Sequence, residues 1–212
     1  RGKVVDSEVR QAFVEKLESR ELILTDDQKG IVDRCRALAE GGTGNTVDSP
    51  LTEQGGGVQR IKSTISETVE WKPLKSPSPF VAMHMRFDEE ANKKAKRSIA
   101  IGKAVAEIDT SPADVIAWYW DVCSFDRTRV SKEEGNPARL IVSKNGDNDY
   151  LYATVKFVSF FVWNREFVAR NILTKNDPSG SLTVASEPTD DIIDYGRTLW
   201  AVRGATRVLF TA

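Results

Sequence analysis

The chain has 212 residues, enough for one full domain and an accessory segment. Its 40% apolar and 29% charged content is that of a globular chain with a sizeable core, and excludes a disordered or bilayer-filling polypeptide. Lys plus Arg (30) nearly cancels Asp plus Glu (31), so no global field favours nucleic acid or an anionic bilayer, and no nucleic-acid partner is expected.

Residues 1–40 read as a helical hairpin. Val9, Phe13 and Leu17 recur at four-residue spacing. Ile31, Cys35 and Leu38 form a second stripe behind the capping box Thr25-Asp26-Asp27-Gln28, and Gly41-Gly42 ends it. One stripe on each of two helices is too little for an independent core, so the segment is expected to dock, either on the rest of the chain or on a partner protein. Residues 41–68 are expected to be a Gly-rich linker. No strand precedes Gly41 and no Lys-Ser pair follows it, so the glycines do not read as a phosphate loop.

Strand-like patterning begins near Val69. Val81, Met83, Met85 and Phe87 alternate with Ala82, His84 and Arg86, and Pro73, Pro77 and Pro79 bound this strand on its near side. A charged loop over 88–97 leads to a strand from Ile99 to Ile108, with Gly102 expected as a bulge. A helix follows, capped by Thr110 or Ser111, opened by Pro112, and carrying Val115, Trp118, Tyr119 and Val122 on one face. Antiparallel strands are then expected over Arg139–Ser143, Tyr150–Trp163, Phe167–Thr174, Ser181–Ser186, Arg197–Arg203 and Thr206–Thr211, with a turn at Asn145-Gly146.

Two stretches resemble a known family. Ala104 to Val115, a strand running into Asp109-Thr110-Ser111-Pro112, is similar to the D-x-S-P-x-x-V segment of START (StAR-related lipid-transfer) domains. Asn164-Arg165-Glu166-Phe167-Val168-Ala169-Arg170 resembles their P-R-D-F-V-x-x-R signature, with Asn164 in place of proline and Glu166 in place of aspartate. The resemblance covers residues 69–212 and implies an α+β helix-grip fold, a curved antiparallel sheet preceded here by the short N-terminal helical segment. It also implies a long C-terminal helix over the sheet. This chain ends at Val208 to Ala212 in what reads as a strand, so the expectation is either a truncated domain or N-terminal helices that take over the covering role.

That fold implies non-catalytic binding or transfer of a lipid, sterol or other hydrophobic molecule, with transient membrane contact. The competing reading is a protein-interaction or scaffold module whose cavity is filled. Trp118, Val155, Phe157, Phe161 and Trp200 are the expected ligand-lining residues, since large apolar groups on both faces of a strand imply cover or a filled cavity. The resemblance implies that Arg170 faces the cavity; an unpartnered buried guanidinium is too costly to keep and the Tyr150–Trp163 strand offers no carboxylate, which leaves Glu107 or Asp109, or a ligand headgroup, as its partner. Arg165 and Glu166 are expected to pin the strand corner.

No catalytic, metal or cofactor site stands out. His84 is the only histidine, so a Ser-His-Asp, Cys-His or His-metal constellation would have to be built wholly around it. Asp190-Asp191 and Asp147-Asn148-Asp149 read as turns without metal-loop spacing. Cys35 and Cys123 lack CxxC spacing and read as buried free thiols, consistent with a cytoplasmic location.

Overall fold

The computed structural model describes residues 2–19, 22–40, 71–87, 100–159, 162–175 and 180–212. The expected linker, most of the charged loop and Phe161 lie outside the described residues. Contacts group the chain differently from the three consecutive segments expected from sequence: residues 1–40 pack with 110–212 in one unit, and residues 41–109 form another.

The smaller unit is an antiparallel sheet of β1 (Lys72–Leu74), β2 (Val81–Phe87) and β3 (Ala100–Ala106), in that order. Pro73 precedes β2, as expected, and lies inside β1, an edge strand where a missing N–H is tolerated. Met85 pairs with Gly102 in unbroken register, so the bulge expected there is absent and the glycine sits in a regular ladder. Arg86 lies over the Trp71 ring, 4.9 Å from its centroid.

The larger unit starts with α1 (Gly2–Ser19) and α2 (Asp26–Glu40). The capping box forms as the sequence predicts: the Gln28 N–H donates to Thr25 Oγ1 at 3.3 Å, and the Thr25 N–H donates to Gln28 Oε1 at 3.0 Å. Next come α3 (Pro112–Trp120), capped by Ser111, and α4 (Phe125–Glu133), which the sequence reading missed. The main sheet runs β4 (Ala138–Lys144), β5 (Asp149–Lys156), β6 (Asn164–Lys175), β7 (Leu182–Pro188) and β9 (Val208–Thr211), and β8 (Ala201–Gly204) pairs with β6.

Two expected strands are corrected. β5 stops at Lys156 instead of reaching Trp163, since Ser159 and Val162 form an isolated antiparallel bridge that turns the chain back. β8 pairs parallel to β6, not antiparallel, because the segment after β7 crosses over before returning. The Asn145-Gly146 turn is present, with Gly146 at φ 82°, where a side chain would be strained.

β6 shows how the layers assemble. Its adjacent residues Ile172 and Leu173 are both fully buried, yet they belong to different cores. Leu173 packs with Val14 and Leu17 of α1 and with Ile116 and Ala117 of α3. Ile172 packs with Ile31, Val32 and Cys35 of α2. Side chains alternate across a strand, so α1 and α3 cover one face of the sheet and α2 covers the other. Phe13 and Leu17 of the first stripe and Ile31 and Cys35 of the second are thus packed against their own chain, while Val9 stays exposed. Burial pushes the Cys35 thiol up to about 11, which leaves it inert.

A polar lock fixes α2. Arg170 Nε donates to both oxygens of Asp149 at 3.1 Å and Nη2 donates to Oδ2 at 2.6 Å, while Nη1 reaches Asp27 of α2. Gln28 and Asn145 also donate to Asp149 Oδ2, at 3.0 and 3.3 Å. Further along, Glu187 on the same face receives Arg34 of α2, at 2.8 and 2.5 Å.

Burial alone pushes the Asp149 carboxyl up, but the hydrogen bonds from Arg170, Gln28 and Asn145 and the Arg170 charge outweigh it and hold it below its ordinary value. A carboxylate depressed in this way stabilises the fold fully above its unfolded value, near pH 4, and the gain is lost as pH falls through the folded value. Arg170→Met is therefore expected to lower stability by about 3 kcal/mol in urea unfolding at pH 7, since it strands a buried charge. The gap between wild type and variant should narrow below about pH 4; a gap that stays constant with pH would separate Asp149 from the effect.

Candidate functional site

On the face covered by α1 and α3, the helices do not fill the whole space above the sheet. A half-open cavity of about 300 Å³ lies between the end of α3, α4 and strands β4 to β9. Tyr119 and Val122 form its helical wall, Tyr152, Phe167 and Val208 its sheet wall, and Arg127 and Arg139 flank it. A volume of this size is at the lower end of small-molecule sites, and an apolar lining with few polar groups is their usual character.

Local geometry sets each wall. Ser124 caps α4 by accepting from the Arg127 N–H, which places the Arg127 side chain one turn inside the helix and back against α3. Arg127 Nη1 donates to the carbonyls of Trp118 and Tyr119, at 3.0 and 2.9 Å, so it closes the C-terminal end of α3 where carbonyls are unsatisfied. Arg139 Nε donates to the Val122 carbonyl, and its guanidinium lies 5.5 Å from the Tyr152 ring centroid. Tyr119 stacks on Phe210 of β9 at 4.2 Å with an interplanar angle of 1°, tying the helix to the far strand. Ser186 donates to Asn171 Oδ1 on the cavity floor.

Electrostatically the cavity is one-sided. Among the described residues lining it there is no carboxylate and no histidine. Burial pushes the phenols of Tyr119 and Tyr152 above the ordinary tyrosine range, so both stay neutral. Burial, and then the nearby Arg139 charge, pull the Arg127 guanidinium below its ordinary value.

Two other hollows are less suited to an apolar guest. One of about 180 Å³ beside α1 is bordered by Arg10, Asp121, Asp147 and Asp149. Another of about 330 Å³ is lined by Lys132, Arg139, Asp194 and Arg197 with little aromatic surface.

The residues expected from sequence to line a ligand site lie elsewhere. Val155 is fully buried, but on the face of β5 opposite Tyr152 and Thr154. Phe157 is partly exposed beyond the end of β5, where its N–H donates to Asn136 Oδ1 at 3.0 Å. Trp118 is half exposed and stacks under Arg127, 4.6 Å from centroid to guanidinium carbon. Trp200 is 69% exposed and meets Trp163 at 5.8 Å. Phe161 lies outside the described residues.

Arg170 is corrected in its premise. A carboxylate is at hand in Asp149, the first residue of β5, and a second in Asp27, so the guanidinium is engaged without a headgroup. The corner is corrected too. Glu166 holds it, but by accepting from Arg203 Nε at 2.9 Å and Tyr195 Oη at 2.6 Å, and not through Arg165. Arg203 also donates to the carbonyls of Thr189 and Asp191, at 2.9 and 2.8 Å, which gathers the crossover segment at that end of β6.

Sequence reasoning missed Arg139, Tyr152 and Phe167 as cavity walls. The available signal was the alternation Tyr150, Tyr152, Thr154 against Leu151, Ala153, Val155: one face of β5 carries polar-tipped rings and the other small aliphatics.

No protein-family model matches the chain, and no curated protein matches it. Solved structures do. The human StarD13 (DLC2) lipid transfer and protein localization domain superposes with a TM-score of 0.52 at 15% identity, over 67% of this chain and 69% of that one. The STAR-related lipid transfer protein from Xanthomonas axonopodis superposes with a TM-score of 0.51 at 17% identity, over 66% of this chain and 72% of that one.

One wall of the cavity depends on a close backbone approach. Phe167 pairs with Gly204 across the parallel β6–β8 ladder, and a Cβ added at Gly204 would lie 2.6 Å from the Phe167 ring. Gly204→Ala is expected to drive the ring toward the cavity and to cost about 1–3 kcal/mol, the range for overpacking, in thermal unfolding. A variant as stable as wild type would show that the wall gives way freely.

Proposed function

We propose that this chain, which has the START-like α+β helix-grip fold, binds a hydrophobic molecule in the cavity between α3, α4 and the sheet, without catalysing its conversion. The observation that carries this reading is the half-enclosed space of about 300 Å³ walled by Tyr119, Val122, Tyr152, Phe167 and Val208. The human and Xanthomonas neighbours are each named for lipid transfer, which supports a lipid or lipid-like guest. Apolar burial would supply the affinity, at roughly 25 cal/mol for each Å² removed from water before ordering costs. The non-catalytic part of the reading rests on the lining, which offers neither an acid-base carboxylate nor a histidine among the described residues. Among those residues no helix is long and apolar enough to cross a membrane.

The expected result of organic extraction of the purified chain, followed by mass spectrometry, is an apolar molecule enriched over a control protein purified in parallel. Ala169 lies on the cavity floor opposite Tyr152, so Ala169→Phe should fill the space and abolish the enrichment while leaving the circular dichroism spectrum unchanged. Equal recovery from wild type and Ala169→Phe would move the binding site out of this cavity.

A further inference from the structure

Among the described residues, several arginines hold a carboxylate and others do not. Arg34, Arg170, Arg203 and Arg207 each hold a carboxylate at hydrogen-bonding distance. Arg127 and Arg139, the two that flank the cavity, have no ion pair with any described residue. Each is anchored through a single nitrogen to backbone carbonyls at and just beyond the end of α3. A guanidinium has five N–H donors, so most of those on Arg127 and Arg139 are without a hydrogen bond to a described residue. The two charges lie close enough for Arg139 to depress Arg127, and the tyrosines between them are neutral.

Two like charges beside an apolar cavity, half-buried and with fixed anchors, are unfavourable in the empty protein and become favourable once an anion joins them. A guanidinium matches the planar geometry of a carboxylate or phosphate with two parallel N–H bonds. Beyond the arginines the walls include the apolar Val122, Phe167 and Val208, with Asn171 and Ser186 already bonded to each other on the floor, so the lining suits a guest with an apolar part more than a small hydrated anion. A cavity of about 300 Å³ has room for roughly ten water-sized groups, which suits one medium-length chain.

We infer that Arg127 and Arg139 together seat the anionic headgroup of a single-chain amphiphile, a carboxylate or phosphate ester, whose tail lies against Val122, Phe167 and Val208. This rests on the cavity being a binding site and adds the charge class of the guest. Arg170, which the sequence pointed to for this role, is excluded from it by its own carboxylates.

The test compares decanoate, decanol and acetate on the purified chain by titration calorimetry. Decanoate should bind at least about tenfold more tightly than decanol, the worth of one hydrogen bond to a charged group, and the preference should shrink as salt is raised. Arg139→Gln should bring the ratio of decanoate to decanol affinity closer to one, and Arg139→Lys, which keeps the charge, should retain part of the preference. Because Arg139 also holds the Val122 carbonyl, the salt dependence of the wild-type ratio provides a measurement that needs no variant.

Equal affinity for decanoate and decanol in the wild type would overturn this inference and leave the apolar cavity standing. Binding of acetate as tightly as decanoate would overturn it in favour of a free small anion. Failure of both ten-carbon probes to bind would overturn it together with the binding function beneath it.

Discussion

The buried carboxylate of Asp149 constrains what each face of the main sheet can hold. With a side chain only 2% exposed, it needs several donors to remain charged, and it takes them from β6, from α2 and from the turn before β5. Those donors include Gln28 at the start of α2, and Arg170 carries the link on to Asp27. Satisfying one carboxylate therefore docks a whole helix. α2 then packs Ile31, Val32 and Cys35 against Ile172 and Ala185 on that face. The cavity walled by Tyr119, Tyr152 and Phe167 lies on the other side of the sheet, where α3 is short and leaves it uncovered at its end.

The second face is organised by a different device, the C-terminal end of α3. Its last carbonyls receive Arg127, and the Val122 carbonyl just beyond receives Arg139, so helix termination brings both cations to the cavity rim. The negative end of a helix dipole lessens the cost of holding them there, by a few tenths of a kcal/mol to about 1 kcal/mol for each charge, without cancelling it. The opposite wall is fixed by the Glu166–Arg203 corner, which positions β8 and therefore Gly204 beneath Phe167. Cap and corner are polar structures at the ends of elements, and the apolar space between them is what remains.

Features encoded locally were legible in the sequence. The capping box at Thr25 to Gln28, the Ser111 cap with Pro112 and the Gly146 turn all depend on residues within four positions of each other, and all three are present. Features decided by distant partners were not. Asp149 reads as the end of a turn when its neighbours are Asp147 and Asn148, and only the ladder with Ile172 makes it the start of a strand facing Arg170. α4 has almost no apolar periodicity, so no stripe announces it. The alternation in β5 divides its residues correctly into two faces, but both faces are apolar. The choice between them turns on where α2 docks, through contacts more than a hundred residues apart in sequence.

The overall charge balance conceals a local imbalance. Thirty basic and thirty-one acidic residues cancel, so net charge gives no argument for a polyanion partner, yet pairing is uneven over the described structure. Acidic groups gather where the structure needs locks: Asp27 and Asp149 around Arg170, Glu187 between Arg34 and Arg207, and Glu166 against Arg203. The cavity rim receives two arginines and no acid among the described residues. A charged group kept half-buried without a counter-ion lowers stability, and a protein of marginal stability retains few of them for no return. Packing explains why Arg127 and Arg139 are arginines at their anchored nitrogens. It does not account for their N–H groups that lack a hydrogen bond to a described residue, and the anionic guest inferred above would.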